Sequence, residues 1–495
     1  MILSTIILGG LLLMVAGYYW RKSIKGGCNL PGPIGFPIIG IYPFLNGEFF
    51  FYLFRMGKTY GDIYHCRIGT ANVVVVNSFE ITEDMLRKKA ELFNDRAFGT
   101  PENIDIPVGF AELDMRDKWK ELRNISVSIL NNQNVGEPSL YEMINNEVTN
   151  LRKFVEKTFQ QKPFNIRPLL LHSMGNILIS LMFNRRIEYG HKEMETLIRN
   201  VHDTLLSMNP FHSPLFSQLK TYFGFSTDKD LFRGQEAIGK IVNICEKEIE
   251  KHLSNSIEKP KDFIDLCLTE IEAKKQDGKT TFLTHNSMSG ICENLFVGGL
   301  DSTGQYLTWL IHLLTKYPDV QRRLRDEIDD VIGRNRNPTL SDRDSMPYLK
   351  AVLQETHRYA SIVPVAIFHR CSKDITYNNY NIPAGFYIMI NYYAIHHSER
   401  YFDNPSEFNP SRFINQQGDF IKSKYVIPFS IGPRVCPGEV LVQRESFLFL
   451  AQILQHYNLI PPKGISPESM PTTIRYEAGG ILVSDFDVVF SPRTD

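Results

Sequence analysis

Residues 429–438, Phe-Ser-Ile-Gly-Pro-Arg-Val-Cys-Pro-Gly, combine residue types and spacings that point directly to chemistry. Cys436 lies in a short loop before an apolar stretch, residues 440–453, whose pattern predicts a helix. Free backbone N–H groups and the positive end of the helix dipole stabilise a thiolate at a helix N-terminus, so we expect a lowered pKa for Cys436. The arrangement suits a cysteine that ligates the iron of a haem.

The neighbours of Cys436 support this interpretation. Gly432 and Gly438 allow a sharp turn and a close approach of the backbone to a flat ligand. Arg434 can pair with an acidic group of that ligand, and Phe429 offers a ring to pack beneath it. The alternative is a buried structural cysteine followed by a Pro-Gly turn. The combined spacing of the two glycines, Phe429, Arg434 and Cys436 favours the interpretation that Cys436 is an iron ligand.

A second group of reactive side chains lies in residues 298–303, Gly-Gly-Leu-Asp-Ser-Thr. Small residues at Gly298 and Gly299 would let a flat cofactor lie against a helix, and a local break in the helix there would open a groove for O₂ and water. Asp301, with the hydroxyls of Ser302 and Thr303, can relay protons into such a groove. The alternative is a solvent-facing polar patch on the helix.

Three further groups hold charge at helical or loop spacing. Glu355 and Arg358 lie at i, i+3 on one face of a predicted helix, and Arg412 follows in an aromatic loop. A buried Arg–Glu–Arg set would hold the loop that leads to Cys436. Trp119 and Arg123, at i, i+4, can both donate hydrogen bonds to an anionic group. The segment that contains His369 can supply another hydrogen-bond donor.

The elements that must position these groups are mostly helical. Hydrophobic periodicity predicts helices over 141–159, 234–253, 285–315, 320–332 and 349–359. Strands are predicted over 63–68 and 72–76, as a hairpin, and over 375–377 and 386–390. The expected fold class is therefore mainly α with small β-sheets (α+β).

Composition excludes several classes of protein. A formal net charge of −1 provides no field that would attract nucleic acid. The 7 cysteines are scattered without zinc-type or redox-type spacing, which is typical of a reducing compartment.

The first 25 residues differ from the rest of the chain. Residues 2–19 form an apolar run of about 18 residues, near the minimum for one bilayer crossing, and Arg21 and Lys22 follow it. We therefore predict a transmembrane anchor at 1–25 with the remainder on the cytoplasmic side; the alternative is a buried N-terminal helix. Residues 26–40, rich in Pro and Gly, form a non-helical hinge, and 41–495 form one catalytic domain.

Together these motifs resemble the cytochromes P-450, the haem-thiolate monooxygenases, and most closely the animal microsomal family-2-like group. The resemblance covers essentially the whole chain, and its motifs occur in the family's order: Trp119 with Arg123, the 298–303 segment, Glu355 with Arg358 and Arg412, and the loop 429–438. It implies a triangular, helix-rich body with haem b between a long central helix and the helix that follows the Cys loop.

The resemblance also implies residue roles. Cys436 would be the axial thiolate, with Arg434, Trp119, Arg123, His369, Phe429 and Gly438 around the haem. Glu355, Arg358 and Arg412 would form a structural triad, and Asp301 with Ser302 would occupy the acid–alcohol pair of proton delivery. The substrate pocket would include Phe98, Phe110, Asn294, Gly298, Ile362, Val363, Ala366 and Ile481. Asn294 is its polar exception and would anchor a lipophilic substrate by one hydrogen bond.

The implied reaction inserts one atom of O₂ into a lipophilic substrate: a steroid, a fatty acid or a xenobiotic. Electrons would come from NADPH through a membrane-bound NADPH–cytochrome reductase, with a cytochrome b-type protein as a further donor. A basic surface would guide the reductase, with the candidates Arg116, Lys118, Lys120, Lys422 and Lys424. The location would be the endoplasmic reticulum membrane, with residues 211–225 as either a second membrane contact or a mobile lid.

One residue departs from the family's pattern, and two other functions stay open. The alcohol position is usually Thr, whereas this chain has Ser302. A haem-thiolate isomerase or dehydratase that needs no reductase is the main alternative, although it would not need Asp301 and Ser302. The second alternative function is that of a non-enzymatic haem sensor.

Overall fold

The computed structural model describes residues 26–36, 39–41, 44, 49–69, 71–96, 107–131, 139–207, 229–254, 257–471, 474–477 and 480–493. The predicted anchor at 1–25, Phe98 of the predicted pocket and the segment 211–225 lie outside the described residues. Among the residues described, no helix combines the length and the apolar character needed to cross a bilayer.

The helices carry most of the structure. In chain order they are α1 (Phe49–Tyr60), α2 (Phe79–Glu83), α3 (Ala90–Phe93), α4 (Asp117–Asn131), α5 (Leu140–Phe159), α6 (Arg167–Phe183), α7 (Lys192–Ser207), α8 (Lys229–Leu253), α9 (Phe263–Gln276), α10 (His285–Lys316), α11 (Pro318–Val331), α12 (Pro347–Ala360), α13 (Tyr392–His396) and α14 (Glu439–His456). A π-helical turn (Asp84–Lys88) joins α2 to α3, and short 3₁₀ turns occur at Leu340–Ser345, Pro410–Phe413 and Pro467–Ser469.

The strands are short and form separate sheets. They are β1 (Ile63–Ile68), β2 (Ala71–Val76), β3 (Asp95–Arg96), β4 (His369–Arg370), β5 (Ile375–Tyr377), β6 (Tyr380–Ile382), β7 (Tyr387–Ile390), β8 (Tyr457–Ile460), β9 (Ile474–Glu477), β10 (Gly480–Val483) and β11 (Val489–Pro492). The predicted α+β class is confirmed.

The largest sheet brings together distant parts of the chain. Its order is β1-β2-β7-β4-β3, with β2 parallel to β7 and the other pairs antiparallel. The predicted hairpin β1–β2 is confirmed, with Ile63 opposite Val76. In the outer pair Arg96 lies opposite His369, so two chemically important side chains become neighbours across 273 positions of sequence.

The long helix α10 passes through the core and packs against α6, α7, α8 and α12. It begins with a capping box formed by Thr284 and Ser287, which satisfies the free N–H groups of its first turn. Helix α6 was not predicted, because it is apolar on all sides and buried, and therefore has no amphipathic period.

Part of the predicted hinge packs onto the body. Pro31 accepts a hydrogen bond from the backbone N–H of His65 at 2.8 Å, and Ile41, the residue after the hinge, donates to the carbonyl of Arg67 at 2.7 Å. A Cβ at Gly40 would lie 2.0 Å from the carbonyl oxygen of Arg67, so the close approach to β1 requires glycine there.

Candidate functional site

The Cys436 loop is held from both sides. The backbone N–H of Cys436 donates to the carbonyl of Phe429 at 2.8 Å, which closes the loop on itself. From α4, the guanidinium of Arg123 donates to the carbonyl of Val435. Cys436 is partly exposed, whereas the other six free cysteines are buried. It is therefore the cysteine best placed to meet a ligand.

The two glycines of this loop play different structural roles. Gly432 has φ +82°, and a Cβ there would lie 2.1 Å from the carbonyl oxygen of Leu86, so this position requires glycine. Gly438 has φ −84° and precedes α14 as its N-cap. A Cβ on Gly438 would lie 3.8 Å from the sulfur of Cys436. Of the two, only Gly438 borders the sulfur.

The predicted lowering of the Cys436 pKa is wrong for the thiol by itself. Although the residue as a whole is partly exposed, its thiol is largely shielded from water, which raises the pKa of Cys436, and the nearby carboxylate of Glu439 acts in the same direction. Hydrogen bonds from the backbone of Gly438 and Glu439 and the charge of Arg123 lower it, but burial outweighs them. An iron ion would reverse the balance, since a coordinating thiol is deprotonated.

Three guanidinium groups, those of Arg96, Arg123 and Arg434, form a cationic cluster beside the loop. Burial and the charges of Arg96 and Arg123 lower the pKa of Arg434 to about 8. Arg434 donates to the carbonyls of Asn94 (3.0 Å), Phe110 (3.4 Å) and Leu113 (2.5 Å), which uses three of its five N–H groups.

Arg96 was not predicted as a site residue. It is buried, and burial lowers its pKa to about 10. Its guanidinium donates to the carbonyls of Ala111, Ile367 and Phe368. The sequence signal was weak, because its place in the cluster depends on the pairing of β3 with β4 rather than on local spacing.

Two buried ring nitrogens beside the cluster have no hydrogen-bond partner among the described residues: Nε1 of Trp119 and Nδ1 of His369. The guanidinium carbons of Arg434 and Arg123 lie 4.6 Å and 5.7 Å from the centre of the Trp119 ring. Crowded cations and the unpaired indole N–H of Trp119 are both satisfied by a bound dianion. These residues therefore fit the two propionates of a haem.

The two glycines in the middle of α10 face different surroundings. No atom lies within 4 Å of where a Cβ on Gly298 would be, so this glycine borders open space. A Cβ on Gly299 would lie 3.2 Å from Leu178 of α6. The expectation that both glycines make room for a flat cofactor is thus wrong for Gly299, which serves helix packing.

The acid–alcohol group lies on an uninterrupted helix. Residues 285–316 are continuous α-helix, so the expected break at Gly298 and Gly299 is wrong. The hydroxyl of Ser302 donates to the carbonyl of Gly298 at 2.5 Å, and Thr303 is buried. Burial raises the pKa of Asp301, whose carboxylate accepts a hydrogen bond from Gln305 at 3.3 Å.

The structure brings Glu355, Arg358 and Arg412 together. Arg358 and Glu355 are fully buried and form a bidentate ion pair, with N–H···O distances of 2.8 and 2.9 Å. Arg412 donates to the same carboxylate at 3.1 Å from the 3₁₀ turn Pro410–Phe413. Arg358 also donates to the carbonyls of His396, Pro405 and Glu407, so all five of its N–H groups are used.

The apolar residues of the predicted pocket are only partly brought together. Phe110 and Ile481 are buried in the main core, and the carbonyl of Ile362 accepts from the N–H of Ile481 at 2.7 Å. Val363 is exposed by 38 %. Ala366 packs instead in the hydrophobic cluster around the large sheet.

Asn294 is not free to anchor a substrate as predicted. Its Oδ1 accepts from the N–H of Ala111 at 3.0 Å, and its Nδ2 donates to Glu112 at 2.9 Å and to Glu293 at 2.8 Å. Both N–H groups of the amide are therefore used within the protein. Glu112 and Glu293 were missed, because only the fold brings residues 107–116 onto α10.

Most of the predicted basic surface is exposed, with one exception. Arg116, Lys120, Lys422 and Lys424 are exposed, whereas Lys118 is only 7 % exposed. Lys118 faces inwards from the first turn of α4 and is not available for docking.

Comparison with known proteins gives a consistent result. A sequence profile of the family described as "Cytochrome P450" matches residues 30–482. Cytochrome P450 2F2 of Mus musculus is 32% identical over 472 residues, which covers 94% of both chains. Cytochrome P450 2C3 of Oryctolagus cuniculus is 32% identical over 90% of this chain and 92% of its own. Cytochrome P450 2C8 of Homo sapiens is 32% identical over 89% of this chain and 90% of its own.

Proposed function

Because this chain belongs to the cytochrome P450 family and is a haem-thiolate monooxygenase of the animal family-2 group, we propose that Cys436 is its axial ligand and that it oxidises a lipophilic small molecule. The assignment of Cys436 rests on its position. It is the one cysteine that is partly exposed, and Arg123 of the cationic cluster donates a hydrogen bond to its loop. The reductase-independent alternative is not favoured by these relatives.

The residues around the loop hold the cofactor in this proposal. Arg96, Arg123 and Arg434 supply positive charge for the propionates, and Trp119 supplies an unpaired N–H, with the unpaired Nδ1 of His369 beside it. The Phe429 ring packs edge-on against His357, with ring centroids 5.0 Å apart, and Gly438 leaves the space beside the sulfur of Cys436 open. The haem, when bound, supplies O₂ activation with electrons that come from NADPH through a redox partner.

Proton delivery is assigned to Asp301 and Ser302. The buried carboxyl of Asp301 has a raised pKa, so it holds its proton to a higher pH than an ordinary aspartate. The hydroxyl of Ser302 points its hydrogen at the carbonyl of Gly298, which leaves lone pairs of Oγ to accept a proton. Gly298 borders open space, so these groups deliver protons where a substrate and O₂ have room.

Ser302→Thr is expected to lower peroxide release per electron by roughly twofold, because the added methyl restricts χ1 and a few tenths of a kcal/mol favour one hydroxyl position. Ser302→Ala, which lacks the hydroxyl, should raise peroxide release. The measurement is peroxide formed per NADPH consumed with saturating substrate. An unchanged yield in Ser302→Thr would contradict the idea.

We assign reductase docking to the exposed basic residues Arg116, Lys120, Lys422 and Lys424. The double reversal Lys120→Glu with Lys422→Glu should raise the apparent KM for NADPH–cytochrome reductase roughly tenfold at low salt, since electrostatic steering sets the encounter rate. Lys275→Glu with Lys279→Glu, on or just beyond α9 and exposed by 78% and 69%, is the matched control. If both double variants change the apparent KM equally, this assignment is wrong. A cytochrome b-type donor would use the same face.

Membrane attachment is assigned to residues 1–25, with the catalytic domain on the cytoplasmic side of the endoplasmic reticulum. The support is the apolar run followed by Arg21 and Lys22. Alkaline carbonate extraction of the full chain and of a chain without residues 1–25 tests it; release of the full chain would refute an integral anchor.

Two measurements test the proposed function as a whole. The reduced protein with carbon monoxide should show the Soret band of thiolate-ligated haem. Oxygen uptake and product formation should depend on NADPH and reductase. Turnover of a lipid peroxide without reductase, together with no oxygen uptake, would support the isomerase instead.

A further inference from the structure

His396, the last residue of α13, contacts the segment that leads into the Cys436 loop. Its Nε2 lies 3.0 Å from the backbone nitrogen of Ile427, which donates a hydrogen bond to it. Its Nδ1 lies 2.9 Å from the hydroxyl oxygen of Ser361, the residue that follows α12. The side chain of His396 is completely buried, and no step of the proposed function uses it.

The hydrogen-bond partners of His396 fix the place of its proton. A backbone N–H can only donate, so Nε2 accepts from Ile427 and carries no hydrogen. Nδ1 then carries the ring hydrogen and donates it to Ser361 Oγ, whose own hydrogen goes to the carbonyl of Arg358 at 2.8 Å. Each of these three bonds has one direction, and the His396 ring is uncharged.

The surroundings of His396 also favour the uncharged ring. Burial lowers the pKa of His396 well below its ordinary value, and the neighbouring His397, Arg358 and His357 act in the same direction. The guanidinium of Arg358 is fixed close by, because it donates to the carbonyl of His396 at 3.0 Å. A protonated ring would lose the bond from Ile427 and would lie beside a fixed cation.

Ser361 has an unusual backbone conformation that these contacts hold. Its φ is +41°, in the left-handed region that favours glycine. A larger residue stays in that region when its surroundings over-determine its position. The Ser361 hydroxyl supplies this restraint, with one bond from His396 and one to the carbonyl of Arg358. The connection from Arg358 to Ile427 is therefore fixed at both ends.

A second histidine, His357 of α12, contacts the same segment through its ring. It stacks on Tyr306 of α10, with ring centroids 3.9 Å apart and planes at 7°. It also meets the ring of Phe429 edge to face, at 5.0 Å and 72°. Tyr306 is fixed in turn, because its hydroxyl donates to the carbonyl of Leu353 at 2.8 Å. Shielding of the ring from water lowers the pKa of His357 to about 3, so this histidine is uncharged as well.

Residues 427–429 connect the two histidines to the cysteine. The carbonyl of Phe429 accepts from the N–H of Cys436 at 2.8 Å, and the carbonyl of Ile427 accepts from the N–H of Ser430 at 3.1 Å. Ser430 has a φ of +65°, so the turn that opens the loop is strained. The start of this turn is held by a hydrogen bond to one histidine and by ring contact with the other.

We propose that His396 and His357 are positioning residues, which hold residues 427–429 and thereby place the Cys436 thiolate for the iron. This inference rests on the proposed role of Cys436 as the axial ligand and adds two residues to it. Because Arg358 holds the carbonyl of His396, the histidines extend the buried ion-pair set as far as the Cys436 loop.

The test compares iron ligation with fold stability in the full-length holoenzyme. In the reduced, carbon monoxide-bound protein, the Soret bands give the ratio of thiolate-ligated haem to haem without a thiolate ligand. Unfolding in urea gives the stability. His396→Leu removes both hydrogen bonds of the ring. We expect the ratio to fall about fivefold or more, because the buried N–H of Ile427 loses its acceptor.

Conservative variants should retain ligation. His396→Gln has an amide oxygen that can accept from the N–H of Ile427, and its ratio should stay within about twofold of the wild type. His357→Phe keeps a ring against Tyr306 and Phe429 and should do the same. His357→Ala removes that ring, and we expect its ratio to fall about fivefold.

His172→Leu is the matched control. His172 is a buried histidine of α6 that donates to the carbonyl of Ile187 at 3.2 Å and packs against the ring of Tyr189. The same replacement removes a buried hydrogen bond and a ring contact far from the Cys436 loop in sequence. It should lower the free energy of unfolding as His396→Leu does, and it should leave the ligation ratio unchanged.

Three results would overturn the inference: an unchanged ratio in His396→Leu, an equal fall in His172→Leu, or a ratio in His396→Gln as low as in His396→Leu. If His396→Leu does not accumulate as a haem protein, His357→Ala decides, and an unchanged ratio there overturns the inference. A wild type that lacks the thiolate Soret band shows instead that the proposed role of Cys436 is wrong.

Discussion

Cys436→Ser is expected to abolish monooxygenase turnover and to remove the thiolate Soret band from the reduced, carbon monoxide-bound protein. A serine hydroxyl keeps the shape of the side chain but is not ionised at neutral pH. It therefore cannot donate electron density to iron as a thiolate does. The loop should survive, because the bond from the Cys436 N–H to Phe429 and the bond from Arg123 to Val435 involve backbone groups at the loop end.

The design separates ligation from folding. Haem content should fall only partly, since the variant keeps Arg96, Arg123 and Arg434, the cationic cluster that we propose holds the propionates. Cys371→Ser is the matched control: this buried thiol donates to the carbonyl of Lys373 at 3.1 Å, a bond that a serine can also make. Its spectrum and turnover should equal those of the wild type. A Cys436→Ser protein with an intact thiolate band would refute the assignment.

Arg358→Ala is expected to destabilise the protein by about 3–5 kcal/mol, the cost of leaving one member of a buried ion pair uncompensated. Glu355 would keep only Arg412 and the backbone N–H of Asn409 as donors. The carbonyls of His396, Pro405 and Glu407 would lose theirs. The free energy of unfolding in urea measures the effect, followed by the Soret band and by tryptophan fluorescence.

Two further variants sharpen this test. Arg358→Lys keeps the charge, but its three donors cannot replace five N–H groups, so we expect an intermediate loss. Arg322→Ala removes an exposed i, i+3 pair with Asp319, 3.0 Å apart, and should cost less than about 0.5 kcal/mol. If Arg358→Ala and Arg322→Ala cost the same, the buried set has no special structural role.

Local spacing made the central groups predictable. The Cys loop is ten contiguous residues, and Glu355 and Arg358 are three residues apart on one helix, so the sequence alone places their side chains near each other. Arg412 is different: it lies 54 positions after Arg358, so no local spacing brings it to that pair, and its place in the set was only a hypothesis. The structure then showed one carboxylate shared by both guanidinium groups.

Other features depended on contacts that no local pattern contains. Arg96 enters the cationic cluster because β3 pairs with β4 and places it opposite His369. Gly298 and Gly299 are identical neighbours in sequence, yet one borders open space and the other packs on Leu178. The surroundings of each glycine are decided by which parts of the fold pack beside it, not by its residue type.

The sequence by itself determined the family, the α+β class, the cysteine with its loop, and the acid–alcohol pair on the long helix, because these depend on residue type and short spacing. Only the tertiary structure decided which polar atoms are already satisfied. Asn294 shows the difference: in sequence it is a polar residue free to bind substrate, and in the fold it bridges Glu112 and Glu293. A hydrogen bond needs a partner within about 3 Å, and distant segments supply that partner only after folding.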